Sequence, residues 1–294
     1  MMRRLAAALL CATAALIAAE AVSVASSATV VWRAGDPRLG RYELPSEGDG
    51  QCRGVGPSIA GSTVTFSLSR NTRGAYEYGG RKDRPGASTC WRNQMNPIDP
   101  RTGHNFLLAM GAHYMFTFRT IVRLNGNTAY RHLPGGRLAI DLPGIVWQTH
   151  SYGGGGSPCD DLLINNTVRA ATDGSAQYGS PAEPGAPVWN FHTCDDTAAN
   201  GDYFSPDTVR DGEVDDWTID VVAQIQGQPG GSIVVRRNGR TVYARPSHVC
   251  DASTPECFWN FGPYMYFWPH SEPPPGWNGT PITVTFEGMT LVKR

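Results

Sequence analysis

Gln148 and His150 stand two apart in Gly144-Ile145-Val146-Trp147-Gln148-Thr149-His150, a segment that reads as a strand and so sets both side chains on one face. An amide and an imidazole are an odd pair for the face of a buried strand. Two further segments have the same character. In Trp91-Arg92-Asn93-Gln94-Met95, Arg92 and Gln94 are two apart, and in Phe258-Trp259-Asn260-Phe261-Gly262-Pro263-Tyr264 the same period puts Asn260, Gly262 and Tyr264 on one side. Brought into one sheet, these strands line a groove with a guanidinium, carboxamides, an imidazole and a phenol. That set can do proton-transfer chemistry: the Arg and the amides hold developing negative charge, the His titrates near neutrality, and the Tyr hydroxyl can deliver a proton.

The elements that must position these residues are short strands. With 34 Gly, 22 Pro and only 17% charged residues, the chain shows no long helical pattern and no internal repeat. The spacing predicts strands over 62–68, 114–124, 137–140, 144–150, 160–165, 217–226, 232–237, 241–244, 258–267 and 282–292, enough for two packed sheets. Asn238-Gly239, between Ile233-Val234-Val235 and Thr241-Val242-Tyr243, supplies the two positive φ angles of a type I′ hairpin turn. Trp217, Ile219, Val221, Ala223 and Ile225 alternate with polar residues, which is the pattern of a half-buried strand. Tyr114 to Leu124 alternates likewise, with Arg119 and Arg123 on the polar face as candidate substrate contacts.

Residues 1–28 have the layout of a secretory signal peptide: Arg3 and Arg4, an apolar run from Leu5 to Ala19, then small residues to Ala28. The expectation is an exported, extracellular or periplasmic protein whose residues 29–294 form one domain and act as a monomer. No later stretch reaches the roughly 18 apolar residues of a membrane helix. The net charge of −1 provides no field for nucleic acid or a membrane surface. Of the 7 Cys, Cys11 lies in the leader, leaving Cys52, Cys90, Cys159, Cys194, Cys250 and Cys257. An even set without a CxxC spacing in an exported chain favours disulfides over metal ligation; neighbour pairing is one of about 15 connectivities.

In order and spacing the three segments resemble the motifs of the jelly-roll polysaccharide lyases, the group of alginate lyases and heparin- and glucuronan-lyase-like enzymes. Arg92-Asn93-Gln94-Met95 is similar to their Arg-x-Glu-Leu, Gln148-Thr149-His150 to their Gln-x-His, and Phe258 to Tyr264 to their Tyr-Phe-Lys-x-Gly-x-Tyr. Gln94 stands where that family has Glu, Asn260 where it has Lys, and Phe258 where it has the first Tyr. The resemblance implies an all-β jelly roll, a concanavalin A-like sandwich of two antiparallel sheets. It also implies β-elimination on an acidic polysaccharide containing uronic acid, without a cofactor. In that scheme Arg92 and Gln148 neutralise the uronate carboxylate, His150 is base or carboxylate partner, and Tyr264 protonates the leaving oxygen. Gln94, Asn260, Tyr266, Arg119 and Arg123 would contact substrate. The loss of the Glu and the Lys keeps a second reading open, a non-catalytic carbohydrate-binding protein of the same fold.

A third reading is a two-carboxylate glycoside hydrolase on the same architecture. Glu213, Asp215 and Asp216 are its candidate carboxylates and also a candidate Ca²⁺ site, although their place before a strand reads first as a solvated turn. His192 with Cys194, Asp195 and Asp196 hints at a metal, but Cys194 is wanted for a disulfide.

Overall fold

The computed structural model describes residues 28–44, 56–68, 93–126, 131–133, 137–139, 144–151, 160–165, 188–193, 202–203, 207–246, 248–250, 256–264 and 280–294. In chain order the strands are β1 (Thr29–Arg33), β2 (Tyr42–Glu43), β3 (Ser58–Ala60), β4 (Thr63–Leu68), β5 (Asn96–Pro97), β6 (Leu107–Leu108), β7 (His113–Arg123), β8 (Arg131–Leu133) and β9 (Arg137–Ala139). They continue with β10 (Gly144–Ser151), β11 (Asp160–Asn165), β12 (Val188–Thr193), β13 (Asp202–Tyr203), β14 (Asp207–Thr208), β15 (Val214–Val222), β16 (Ser232–Arg237), β17 (Arg240–Pro246), β18 (Cys257–Tyr264) and β19 (Ile282–Lys293).

Two antiparallel sheets dominate. The first runs β17-β16-β15-β7-β19-β4-β3, with β1 also on β19, and the second runs β13-β12-β11-β10-β18-β6, with β14 on β12. They pack face to face as the all-β jelly-roll sandwich. The expected turns form: Asn238 and Gly239 have φ of 51° and 76°, and β16 and β17 close around them as a hairpin. Alternation in β15 buries Trp217, Ile219 and Val221, as the pattern requires.

Aromatic rings join the sheets. Phe116 of β7 lies 5.0 Å from Trp147 of β10 and 5.1 Å from Trp259 of β18, both edge-on. Phe66 of β4 meets Phe261 of β18 at 5.7 Å, and Trp32 of β1 meets Trp259 at 5.2 Å. Each buried Phe stabilises the fold by about 1.5 to 3 kcal/mol through removal of apolar surface from water. Edge-to-face geometry adds roughly 0.5 to 1.5 kcal/mol per pair. For the site the consequence is orientation: Trp147, Trp259 and Phe261 point into the sandwich, so Gln148 and Asn260 point out of it.

At one end of the core the sheets also share a polar contact. Asp215 of β15 accepts hydrogen bonds from Arg237 Nε at 2.7 Å and from the indole of Trp189, on β12, at 2.8 Å. Both Asp215 and Arg237 are buried. This corrects the reading of Glu213 to Asp216 as a solvated turn, a Ca²⁺ site or a carboxylate pair: alternation turns Asp215 inward, where Arg237 neutralises it, and Asp216 pairs outside with Arg119 at 2.7 Å. Among the described residues no group of three or more His, Cys, Asp or Glu could hold a metal ion. No helix among them is long and apolar enough to cross a membrane.

Cys250 and Cys257 are disulfide-bonded. Cys52, Cys90, Cys159 and Cys194 lie outside the described residues, as do residues 1–27, where the signal peptide was expected. Strands β1 and β12 and the short β2, β3, β5, β6, β8, β13 and β14 were not among the expected strands, and the expected strand over 217–226 starts earlier and ends at Val222.

Candidate functional site

The site is a face of the second sheet where β10 and β18 run side by side. Gln148 is directly opposite Asn260 in the ladder and His150 directly opposite Phe258. The His150 and Phe258 rings stack at 5.4 Å, as same-face neighbours on adjacent strands do. The third segment lies along the other side of β18. Met95 and Phe261 exchange backbone hydrogen bonds of 2.9 and 3.2 Å, and the Asn93 amide donates to the Pro263 carbonyl at 2.9 Å. That antiparallel register brings Gln94 beside Gly262 and Asn96 beside Asn260. The three segments picked out for their chemistry are therefore contiguous in one sheet.

Carboxamides fill the floor. Gln94, Gln148 and Asn260 are 0% exposed and Asn96 is nearly buried. Neither end of the Gln148 or the Asn260 carboxamide has a hydrogen-bond partner, and Asn96 Oδ1 has none. Buried polar atoms normally find partners, and each that does not costs roughly 1 to 3 kcal/mol. No guanidinium or ammonium lies on the described part of the floor.

Gly262 explains how Gln94 comes so close to β18. Its φ is +114°, and a Cβ there would lie 2.4 Å from the Asn93 carbonyl oxygen and 2.8 Å from the Phe66 ring. Only glycine fits. The same feature interrupts the period-2 pattern: a Cβ on Gly262 would point toward core residue Phe66, not to the Asn260 side, and the β10–β18 register shifts between Ile145 and Trp147. Parity counting from Asn260 thus stops at Gly262. Tyr264 has its backbone opposite Gly144 and Ile145, and its side chain lies outside the described residues, as do Arg92 and Tyr266.

Arg119 and Arg123 belong elsewhere, which corrects their expected place in the groove. They sit on β7 in the first sheet, and the alternation that buries Tyr114, Phe116, Phe118 and Val122 turns them away from the second sheet. Arg119 pairs there with Asp216, and the Arg123 guanidinium packs beside Gly212. Their strand was read correctly; which sheet it joined was not visible in its own pattern.

Register brings further positions into the same row, of which sequence reasoning named only His192, and that as a metal candidate. Beyond Gln148 the ladder continues to Asp161 of β11, then His192 of β12, then Tyr203 of β13. Asn96, on the opposite flank, follows Gln94 at the period-2 spacing. A search for polar residues two apart after Gln94 would have found it.

No protein-family model matches the sequence, and no curated protein sequence matches it. Among solved structures the chain is similar to alginate lyase PA1167 from Pseudomonas aeruginosa, at 13% identity and TM-score 0.49, over 81% of this chain and 86% of that one. It is also similar to the endo-β-1,4-glucuronan lyase of the fungus Trichoderma reesei, at 11% identity and TM-score 0.45, over 90% and 94% of the two chains. The marine PL-14 alginate lyase from Aplysia kurodai gives 9% identity and TM-score 0.45, over 90% and 100%. Two of these three proteins are alginate lyases and one is a glucuronan lyase.

Proposed function

We propose that the mature chain, residues 29–294, is an exported polysaccharide lyase that cleaves a uronic-acid-containing polymer by β-elimination on the β10–β18 face. The observation that carries this reading is the placement of Gln148 and His150 on one face of β10, with Asn260 directly opposite Gln148 and Gln94 on the adjoining segment.

In the proposed reaction a base removes the proton at C5 of the uronate and the bond from C4 to the glycosidic oxygen breaks. A C4–C5 double bond forms, and the leaving oxygen takes up a proton. The carbanion at C5 is stabilised only if the adjacent carboxylate is neutralised or strongly hydrogen-bonded. Arg92 and the Gln148 amide supply those donors. His150, half-buried against Phe258, takes the C5 proton as base while Tyr264 protonates the leaving oxygen, or His150 holds the carboxylate and Tyr264 both takes the C5 proton and delivers one to the leaving oxygen. The mature protein is incubated with a panel of uronate polymers, and the ultraviolet absorbance of unsaturated uronate ends is followed. New reducing ends without that absorbance would mean hydrolysis.

One observation favours a second reading. Gln94 and Asn260, where the resembling motifs carry Glu and Lys, leave the described floor without a carboxylate–ammonium pair, and a neutral floor suits a non-catalytic carbohydrate-binding protein. Binding of the polymers without unsaturated ends in any of them would decide for it.

A further inference from the structure

We infer that Leu107, Phe258 and the His150 ring form an apolar shelf that takes the C–H face of the sugar next to the unit being cleaved. The polymer then crosses the strands from β10 over β18 to β6. This rests on the proposal that the β10–β18 face is the saccharide groove, and it makes Leu107 a binding residue of that groove. The shelf follows from register and parity. Phe258 is directly opposite His150 on one flank and Leu107 on the other, and residues directly opposite in a ladder share a face. Their chain neighbours Thr149, Cys257, Trp259 and Leu108 are buried, so the three side chains point out of the sandwich. None is closed to solvent: His150 and Phe258 are half-buried and Leu107 is 41% exposed. A sugar reaches them without any opening of the surface.

A single exposed leucine needs no explanation. Leu107 differs in two respects. Of the large apolar side chains exposed among the described residues, it alone belongs to the second sheet. It also prolongs the stacked His150 and Phe258 rings, whose centroids are 5.4 Å apart, into one continuous strip. Such contiguous apolar surface marks binding sites where scattered residues do not. The strip spans two strand spacings, about 10 Å, and apart from the imidazole nitrogens it offers neither donor nor acceptor. Hydroxyls and carboxylates laid on it would lose water without replacement, whereas C–H groups lose nothing. A pyranose carries its polar groups around the rim and C–H groups over its faces, so it lies flat there with its carboxylate off the strip. Leu107 is further from His150 than one such ring spans, so it meets the neighbouring unit and not the one that His150 contacts.

The test uses the full mature chain with alginate, glucuronan and hyaluronan as probes. Unsaturated ends give kcat and KM, and calorimetry gives affinity. Leu107→Ala should raise KM and weaken binding about 3- to 10-fold, the worth of the apolar surface no longer covered. Its kcat should stay within about twofold of the parent, because Leu107 does not reach the reacting ring. Leu107→Trp, which widens the shelf, should bind at least as tightly as the parent. Ile59→Ala, at an exposed apolar residue of the other sheet, is the control and should change neither constant. If the melting transition shows that Leu107→Ala does not fold, Leu107→Thr, with its higher strand propensity, reads the same effect. A Leu107 variant that matches the control, or that lowers kcat at unchanged KM, overturns the inference and leaves the lyase reading standing wherever the parent forms unsaturated ends. A parent that sediments as a dimer and a Leu107→Ala variant that sediments as a monomer would assign the shelf to a second copy of the chain and overturn it too. Weakened binding in Leu107→Ala with no unsaturated ends from the parent supports the shelf and overturns the lyase reading. Neither binding nor unsaturated ends with any of the three polymers overturns both.

Discussion

Gln148 and Asn260 face each other across the β10–β18 ladder, fully buried, and neither carboxamide is hydrogen-bonded at either end. A pair that served stability would be bonded to each other or replaced by apolar residues. Replacing such groups by apolar isosteres removes a desolvation cost without breaking a bond. Gln148→Met and Asn260→Leu should each leave unfolding free energy unchanged or raise it by about 1 to 2 kcal/mol, while lowering saccharide turnover or affinity at least about 10-fold. Urea titrations beside activity assays read both quantities. A loss of stability in both variants would show that the amides hold the fold.

Asp215 and Arg237 present the opposite case. Asp215 accepts from Arg237 and from the Trp189 indole, and the Asp215 and Arg237 side chains are 3% and 9% exposed. Removing one partner strands a charge in the core, so Asp215→Ala should cost about 3 to 5 kcal/mol. Replacing both, Asp215→Leu with Arg237→Met, should cost clearly less than the sum of the single changes, because no uncompensated charge remains. Equilibrium denaturation of the four proteins closes the cycle, and additive losses would contradict coupling through the ion pair.

Gly262 is where backbone geometry and site meet. Ala at that position would need φ near +114° and would drive its methyl into the Asn93 carbonyl. Gly262→Ala should destabilise by at least about 1 to 3 kcal/mol and displace the Asn93–Gln94 backbone from β18. Amide hydrogen exchange at Met95, whose N–H donates to Phe261 O, should accelerate. Unchanged protection at Met95 would show that the segment is held by other contacts.

Asp99 anchors the loop that follows β5. Arg101 donates to both carboxylate oxygens, at 3.0 and 2.7 Å, and holds the Asp99 carboxyl below its usual value of 3.8; the Arg101 backbone amide lowers it further. A carboxylate whose folded pKa is depressed contributes stability above its unfolded pKa, and that contribution is lost as pH falls through the folded one. The advantage of the parent over Asp99→Asn should therefore be full above about pH 4 and shrink as the medium is acidified below it. Because the Arg101 side chain is 81% exposed, the difference should also narrow in high salt. A gap independent of pH would assign the effect of the substitution to the hydrogen bonds alone.

Local pattern revealed what local physics determines. The Asn238-Gly239 turn formed where expected, and the strands formed with ends shifted by up to a few residues: the turn, the period-2 strands and the extended conformation of the Gln148 and His150 segment each depend on neighbours within a few residues. Sheet membership does not: Arg119 and Arg123 alternate as well as Gln148 and His150 do, and only the pairing of β7 with β15 and β19 puts them on the far sheet. The inward turn of Asp215 is likewise set by Trp189 and Arg237, 26 and 22 residues away, and nothing in Glu213 to Asp216 announces it. The Gly262 irregularity was legible only as a glycine; that it interrupts the period-2 count needed the Asn93 carbonyl beside it.

Tyr264 and His150 carry the chemical test of the proposed reaction. Tyr264→Phe removes one oxygen and keeps the ring, so a hydroxyl that delivers the proton to the leaving oxygen should be missed by about 10² to 10⁴ in turnover, with little change in melting temperature. His150→Ala should also impair turnover, and because His150 stacks on Phe258 it removes a packing contact as well, so His150→Gln is the better control for the imidazole. The decisive comparison is KM against kcat. A proton donor acts in the transition state and should lower kcat with KM nearly unchanged, whereas a residue that merely holds the sugar should raise KM. Near-parental kcat in Tyr264→Phe on a polymer that the parent degrades would remove Tyr264 from the reaction. The proton for the leaving oxygen would then have to come from His150 or from water.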